Sequence, residues 1–345
     1  MSALYAGNNT AADVEAVEEI MRRGGPVLRE RMICMEAYLE RVAAEAGVPL
    51  ASHATATVLA GGKRLRPLLV VLAAESAGSP GRHPEGEQSL LRAAVAVELV
   101  HSATLVHDDL IDGARLRRGR PTVAAVAGRR TAIATGDLLF SRAFAELARN
   151  RDPEQLRALS DASSALAAGE LLQREDCYAS DIAVDRYLER CRLKTAALFE
   201  AACRLGALVA VQDGTATLAG ALGEFARRIG LAFQLLDDVL DVSGPAQRTG
   251  KARGTDLLDG TVTLPLILAR ERDKQIAEVD LAALEGPEQA EALCERIAST
   301  GALDEARERA LAIVAEAKAA LPSSLPDGRH ELLDLVADAV VERYC

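Results

Sequence analysis

Apolar side chains recur at three- and four-residue spacing across residues 13–47, 52–77, 88–112, 129–150, 156–175, 182–211, 215–243 and 261–273, with shorter segments of the same kind towards the C-terminus. That period is the one-face signature of an α-helix, and no segment alternates convincingly in the manner of a half-buried strand. Polar breaks rich in Gly, Pro and Asp separate the helices, notably Ser79–Glu87, Gly119–Thr122, Asn150–Glu154 and Ser243–Asp256. The breaks are short, none resembles an interdomain linker, and no repeat of solenoid length is present. The pattern predicts an all-α fold in which residues 1–345 form a single domain, with a motif-bearing core of about 52–273 and peripheral helices over 274–345.

Two of the predicted helices depart from simple amphipathicity. Residues 88–112 begin LLRAAVAVELVHSATLV after a short lead, nearly apolar all round, and end HDDLID. Such a helix belongs at the centre of a bundle. Its apolar run, like Leu65–Ala74, is expected to be too short or too often broken by Arg, Glu and His to span a bilayer. Residues 218–236 repeat the theme and lead into LLDDVLD. The two acidic ends share one spacing, Asp108, Asp109, Asp112 and Asp237, Asp238, Asp241. Residues i and i+4 lie on one helix face, so each cluster presents two carboxylates to the same side. That arrangement costs energy, because like charges repel and the macrodipole disfavours anions at a helix C-terminus.

A solvated acidic face is the plain explanation for one such cluster. Composition predicts roughly 0.1 patterns of this kind by chance in the whole chain, and these two finish its most apolar helices. Oxygen donors without neighbouring Cys select hard divalent cations, Mg²⁺ or Mn²⁺, and Mg²⁺ usually joins protein carboxylates to a substrate phosphate. The clusters therefore predict a diphosphate held between two acidic helix ends.

Composition narrows the alternatives. The chain has 40 Lys+Arg against 51 Asp+Glu, a net charge of −11, which disfavours nucleic acid as a partner. Aromatic residues make up 3% and Trp is absent, which favours packed helices over sheets. The six cysteines include no CxxC pair, so neither a zinc knuckle nor a dithiol redox site is signalled. They read as reduced core thiols of a cytoplasmic protein, and the N-terminal sequence lacks a basic segment followed by an apolar run.

A phosphate ligand also needs basic side chains. Lys63 and Arg66 follow the pair Gly61-Gly62, and Arg115, Arg117, Arg118 and Arg120 follow the first cluster. Lys194-Thr195 lies on the predicted helix 182–211, Gln234 shares a face with the second cluster, and Lys251 lies in the loop after it. His101 is seven residues before Asp108. Singly, each is equally well a basic helix edge or a core histidine; together they alternate acid and base around one cleft.

The segments GGKRLRP, HSATLVHDDLIDGARLRRGRPT, GDLLFSRAF, LKTAALFEAA, FQLLDDVLD, GKARGTD and TLPLILA resemble, in order, the trans-isoprenyl diphosphate synthase (polyprenyl synthetase) family, over about residues 60–270. The resemblance implies an isoprenoid-synthase helical bundle with a central apolar cavity, usually homodimeric and without stable membrane insertion. It also implies head-to-tail condensation of isopentenyl diphosphate with an allylic diphosphate, using about three Mg²⁺ ions per site. By the same resemblance Asp108, Asp112, Asp237 and Asp241 are metal ligands, and Asp109, Asp238 and Lys194 join them in the catalytic set. Arg117, Lys194, Thr195, Gln234 and Lys251 match allylic diphosphate contacts; Lys63, Arg66, His101 and Arg118 match the isopentenyl diphosphate site.

Two positions depart from the family pattern. Thr261 stands where many members have Lys, and the chain ends ERYC, with only Arg343 to supply a basic tail. Product length is expected to follow the side chains below the first cluster. Ala103 and Thr104 are small where short-chain relatives often carry an aromatic, which favours a medium or long product. Phe140 and Phe144, at i and i+4, are candidates for the floor, although core packing explains them equally well. The alternatives are a short-chain synthase, a class I terpene cyclase, a head-to-head condensing enzyme and a non-catalytic partner subunit. The second Asp cluster and the scarcity of aromatics disfavour the cyclase.

Overall fold

A computed structural model describes residues 11–45, 47, 49–78, 84–210, 215–244 and 253–342. Its centre is the helix Pro84–Ile111 (α4), in which Ala93–Val97, Leu99, Val100 and Ala103 have no exposed surface. By length and composition Glu85–Ile111 could cross a bilayer, against the sequence expectation, but 67% of its apolar window is buried inside the protein. The one acid within that run, Glu98, is buried against Arg64 at 2.7 Å. Arg64 also bonds Glu36 and donates to the Val58 carbonyl at 2.6 Å, so the buried charge is compensated.

Against α4 pack Ala11–Ala44 (α1), Leu50–Val58 (α2), Leu65–Ser76 (α3), Val123–Ala148 (α5), Pro153–Asp176 (α6) and Ala197–Val209 (α8), and beyond them lie Val184–Cys191 (α7) and Thr215–Ser243 (α9). α5 packs antiparallel along α4, α3 on α8, and α8 on α9, while Ala302–Ala319 covers α9 from outside. The α3–α8 crossing is close because Gly206 has no side chain; a Cβ there would lie 2.0 Å from the Val70 carbonyl oxygen. Leu264–Arg272, Pro287–Ser299 and Asp327–Glu342 complete the described helices of more than four residues.

Four boundaries differ from those the hydrophobic period predicts. The segment 52–77 is two helices, because Gly61 (φ 84°), Gly62 (φ 153°) and Arg64 (φ 51°) take backbone angles that a helix cannot contain. α1 is kinked at Gly25, immediately before Pro26. The segment 182–211 is interrupted by a π-helical turn at Arg192–Ala196. A two-residue antiparallel pair, Leu116–Arg117 (β1) and Arg120–Pro121 (β2), forms a small hairpin beyond α4. Arg117 pairs with Arg120 across it, and Thr122 then caps α5 by accepting from the Ala125 amide at 3.2 Å.

Candidate active site

The first cluster closes the C-terminal end of α4, where Asp109 and Asp112 are each paired with an arginine. Asp109 is buried and accepts from Arg117 Nε at 2.6 Å, which ties the hairpin back onto α4. Asp112 lies one turn on, its amide bonded to the Asp108 carbonyl at 2.8 Å, and its Oδ1 meets Arg174 Nη2 of α6. Arg174 Nε also donates to Glu170 at 3.0 Å, and Glu170 is ion-paired with Lys194. Burial pushes the Asp108 carboxyl up to about 6; Lys194 and Arg117 oppose the shift, and Glu170 and Asp112 add to it. The compensation that repelling carboxylates require is thus present in the protein itself.

The second cluster ends α9. Asp238 is buried, accepting from Tyr187 Oη and from Gln234 Nε2, both at 2.7 Å. Burial, with Asp256 adding to it, pushes its carboxyl up to about 7 against those two hydrogen bonds and Arg190. Asp241 Oδ2 accepts the Asp256 amide at 3.2 Å, and its carbonyl accepts that of Gly254 at 2.9 Å, which ties Gly254 and Asp256 to the end of α9. Asp237 is half-buried on the same turn.

One short segment lies between partners of the two clusters. Lys194, in the π-helical turn, carries the Glu170 ion pair and acts on Asp108, and donates to Gln173 at 3.0 Å. Its neighbour Thr195 donates to Gln234 Oε1 at 2.7 Å, one helical turn before Asp238. Gly169 permits the approach of α6, since a Cβ there would lie 2.5 Å from the Lys194 amide nitrogen. Successive residues of a helical turn project in different directions, so Lys194 reaches α6 while Thr195 reaches α9.

The basic set gathers at the start of α3. Arg118, at φ 51°, lays its guanidinium over Gly62, where an added Cβ would sit 3.0 Å from Nη1. Arg66 lies over the Phe199 ring at 4.5 Å, with its Nε buried and lacking a hydrogen-bond partner. An unpaired buried donor is costly, and an anion would satisfy it. Burial pulls Arg66 down to about 10, opposed by Glu98 and assisted by Arg118. His101 is held well below its usual range by burial and then by Arg66 and Arg118, so its imidazole is neutral. Lys63 is half-buried at the same bend. Lys251 and Arg343 lie outside the described residues.

Below the first cluster, Ala103 is buried and Thr104 bonds its own helix at the His101 carbonyl, 2.8 Å. His107 sits over Gly136, 5.9 Å from the Phe140 ring centroid. Phe140 is therefore level with the last turns of α4, and Phe144 is one turn, about 6 Å, deeper. Both are half-buried against the core.

Among the described residues, no three His, Cys, Asp or Glu side chains converge to hold an ion alone. The donors fit a different arrangement, in which pairs of carboxylates on two helix ends bind divalent ions together with water and phosphate oxygen. Sequence reasoning missed Glu170, Gln173, Arg174 and Tyr187. Glu170, Gln173 and Arg174 do share one helix face at i, i+3 and i+4, but nothing local connects that face to clusters some sixty residues away on either side.

Two aspartate-bearing helix ends linked through the Lys194-Thr195 turn, with the basic bend of α3 joined to the first through the hairpin, suit a diphosphate ligand. A family model described as Polyprenyl synthetase matches residues 48–299, and the chain belongs to that family. It is 39% identical to the heptaprenyl diphosphate synthase component 2 of Geobacillus stearothermophilus, over 76% of this chain and 78% of that one. It is 40% identical to the octaprenyl diphosphate synthase of Haemophilus influenzae, over 70% and 71% respectively. The fold matches the crystal structure of a polyprenyl synthase from Caulobacter crescentus complexed with calcium and isoprenyl diphosphate. That match has a TM-score of 0.84 and 34% identity, covering 95% of this chain and 98% of the other. The protein is accordingly a trans-prenyltransferase of the all-α isoprenoid-synthase fold, elongating allylic diphosphates with isopentenyl diphosphate in a family that uses divalent metal ions.

Proposed function

We propose that this enzyme makes a medium- or long-chain all-trans polyprenyl diphosphate, with Mg²⁺ as its metal, about three ions per site. The observation that carries the reading of the site is the Lys194-Thr195 turn, which contacts partners of both aspartate clusters. Asp108 and Asp112 on one side and Asp237 and Asp241 on the other face the allylic diphosphate. Divalent ions, when bound, place positive charge on its oxygens and so favour its departure. Lys194 and Arg117 add charge at the same place, and Thr195 with Gln234 orients the group. The allylic C–O bond breaks with its electron pair leaving on pyrophosphate. Arg66, Arg118, Lys63 and neutral His101 hold isopentenyl diphosphate, whose double bond attacks the allylic cation, and the released pyrophosphate takes the proton. The apolar face of α4 shields the cation from water.

Small Ala103 and Thr104 support the longer product, and Phe140 and Phe144 of α5, packed on the core beside the last turns of α4, are the candidate floor. Phe144→Ala is expected to lengthen the product by at least one isoprene unit, read by chromatography of dephosphorylated products. Unchanged profiles for both Phe140→Ala and Phe144→Ala would remove them as the floor. The same assay with dimethylallyl, geranyl, farnesyl and geranylgeranyl diphosphates as primers separates this reading from a short-chain synthase. Unpaired cysteines among the described residues suit a reducing cytoplasm. The assembly we favour is a homodimer; the name component 2 carried by one relative makes a heteromer the competing outcome of a sedimentation measurement.

A further inference from the structure

Arg174 spans two carboxylates carried by different helices. Its Nε donates to Glu170 Oε1 of its own helix at 3.0 Å, and its Nη2 meets Asp112 Oδ1 at the end of α4. Glu170 is held from the other side by Lys194, and Glu170, Lys194 and Asp112 are among the charges that act on Asp108. The guanidinium therefore supplies positive charge at a carboxylate that otherwise faces Asp108 on the same helix face.

We infer that Arg174 is the resident counter-ion of Asp112, holding that carboxylate in the metal-free protein and giving it up when a divalent ion binds. The inference rests on the reading of Asp112 as a metal ligand. Guanidinium and metal compete for the same oxygen, and two cations crowded at one carboxylate repel each other. The Glu170 bond retains the displaced arginine at the edge of the site, so its release does not require α6 to move. Metal uptake therefore includes the loss of one ion pair. Side-chain exposures of 37% for Arg174 and 33% for Asp112 make that loss modest.

The test is Mn²⁺ binding, measured by electron paramagnetic resonance and calorimetry without substrate, on the full chain and on Arg174→Leu, Arg174→Lys, Arg157→Leu and Asp112→Asn, each first checked for native helicity. Arg174→Leu is expected to bind Mn²⁺ about threefold to fivefold more tightly than wild type, the scale of a partly exposed ion pair. Arg174→Lys, which keeps the charge, should stay within about twofold of wild type, as should Arg157→Leu, which removes an exposed charge elsewhere on α6. Equal or weaker binding by Arg174→Leu overturns the inference, and so does an equal gain in Arg157→Leu. Weaker binding by Asp112→Asn alongside an unchanged Arg174→Leu leaves the metal-ligand reading standing and sinks only the counter-ion. Undiminished binding by Asp112→Asn sinks both.

Discussion

The six aspartates divide by what each touches. Asp109 and Asp238 are buried with protein partners, Arg117 for one and Tyr187 with Gln234 for the other. Asp112 and Asp241 also have protein partners, Arg174 and the Asp256 amide, but these two carboxylates, like Asp108 and Asp237, are less deeply buried. Asp108→Asn or Asp237→Asn is expected to lower kcat by about 10²- to 10³-fold with the fold intact, since charge at the leaving group is lost; Asp237→Asn with wild-type turnover would contradict the second metal site. Asp238 makes a separate claim about pH. Its carboxyl is raised to about 7 in the folded protein from the ordinary 3.8, so folding is favoured while it is protonated. That contribution is fully present below the unfolded value and is lost as pH rises through the folded one. In metal-free protein, the stability of Asp238→Asn relative to wild type should therefore increase between pH 5 and pH 8, measured by urea denaturation. A difference that does not change with pH would mean the buried carboxyl is not raised.

At the scale of elements, the site depends on close approaches at residues without side chains. His107 of α4 rests on Gly136 of α5, where a Cβ would lie 2.1 Å from Nε2. Gly136→Ala should force the helices apart or the imidazole aside, costing about 1–3 kcal/mol in denaturant unfolding, and should disturb the turn that carries Asp108. Gly62 answers to two demands, a φ of 153° and the Arg118 guanidinium above it. Gly62→Ala is expected to raise KM for isopentenyl diphosphate more than for the allylic substrate; equal effects on both would detach this bend from the isopentenyl site. The π turn at Arg192–Ala196 belongs to the same scale, since it carries the adjacent Lys194 and Thr195 that bond α6 and α9.

At the scale of the whole molecule, acidic helix ends are brought together by a core that gains nothing from them. The apolar burial of α3, α4, α8 and α9 holds the carboxylates where repulsion and desolvation both oppose them. Binding of ligands that relieve this should stabilise the fold. Mg²⁺ together with inorganic pyrophosphate is expected to raise Tm by more than the sum of the two separate rises, and chelation should reverse the rise. Additive effects of the two would argue against a shared site.

The hydrophobic period determined the helices, because a 3.6-residue repeat has one folded form, and the apolar character of 88–112 placed it at the centre. The paired Asp spacing determined the chemistry, since i and i+4 on a helix fix two carboxylates side by side whatever surrounds them. The interruptions inside apolar stretches were only partly legible: Gly61-Gly62 could be read as a place where backbone approaches an anion closely but not as a helix break, and nothing in RLKTA announces a π turn. Tertiary structure alone decided which partner answers which acid. Arg117 meets Asp109, Arg174 meets Asp112 and Tyr187 meets Asp238, pairings across eight, sixty-two and fifty-one residues of sequence. Local spacing constrains neighbours on one helix, whereas partners on different helices are chosen by how the bundle packs.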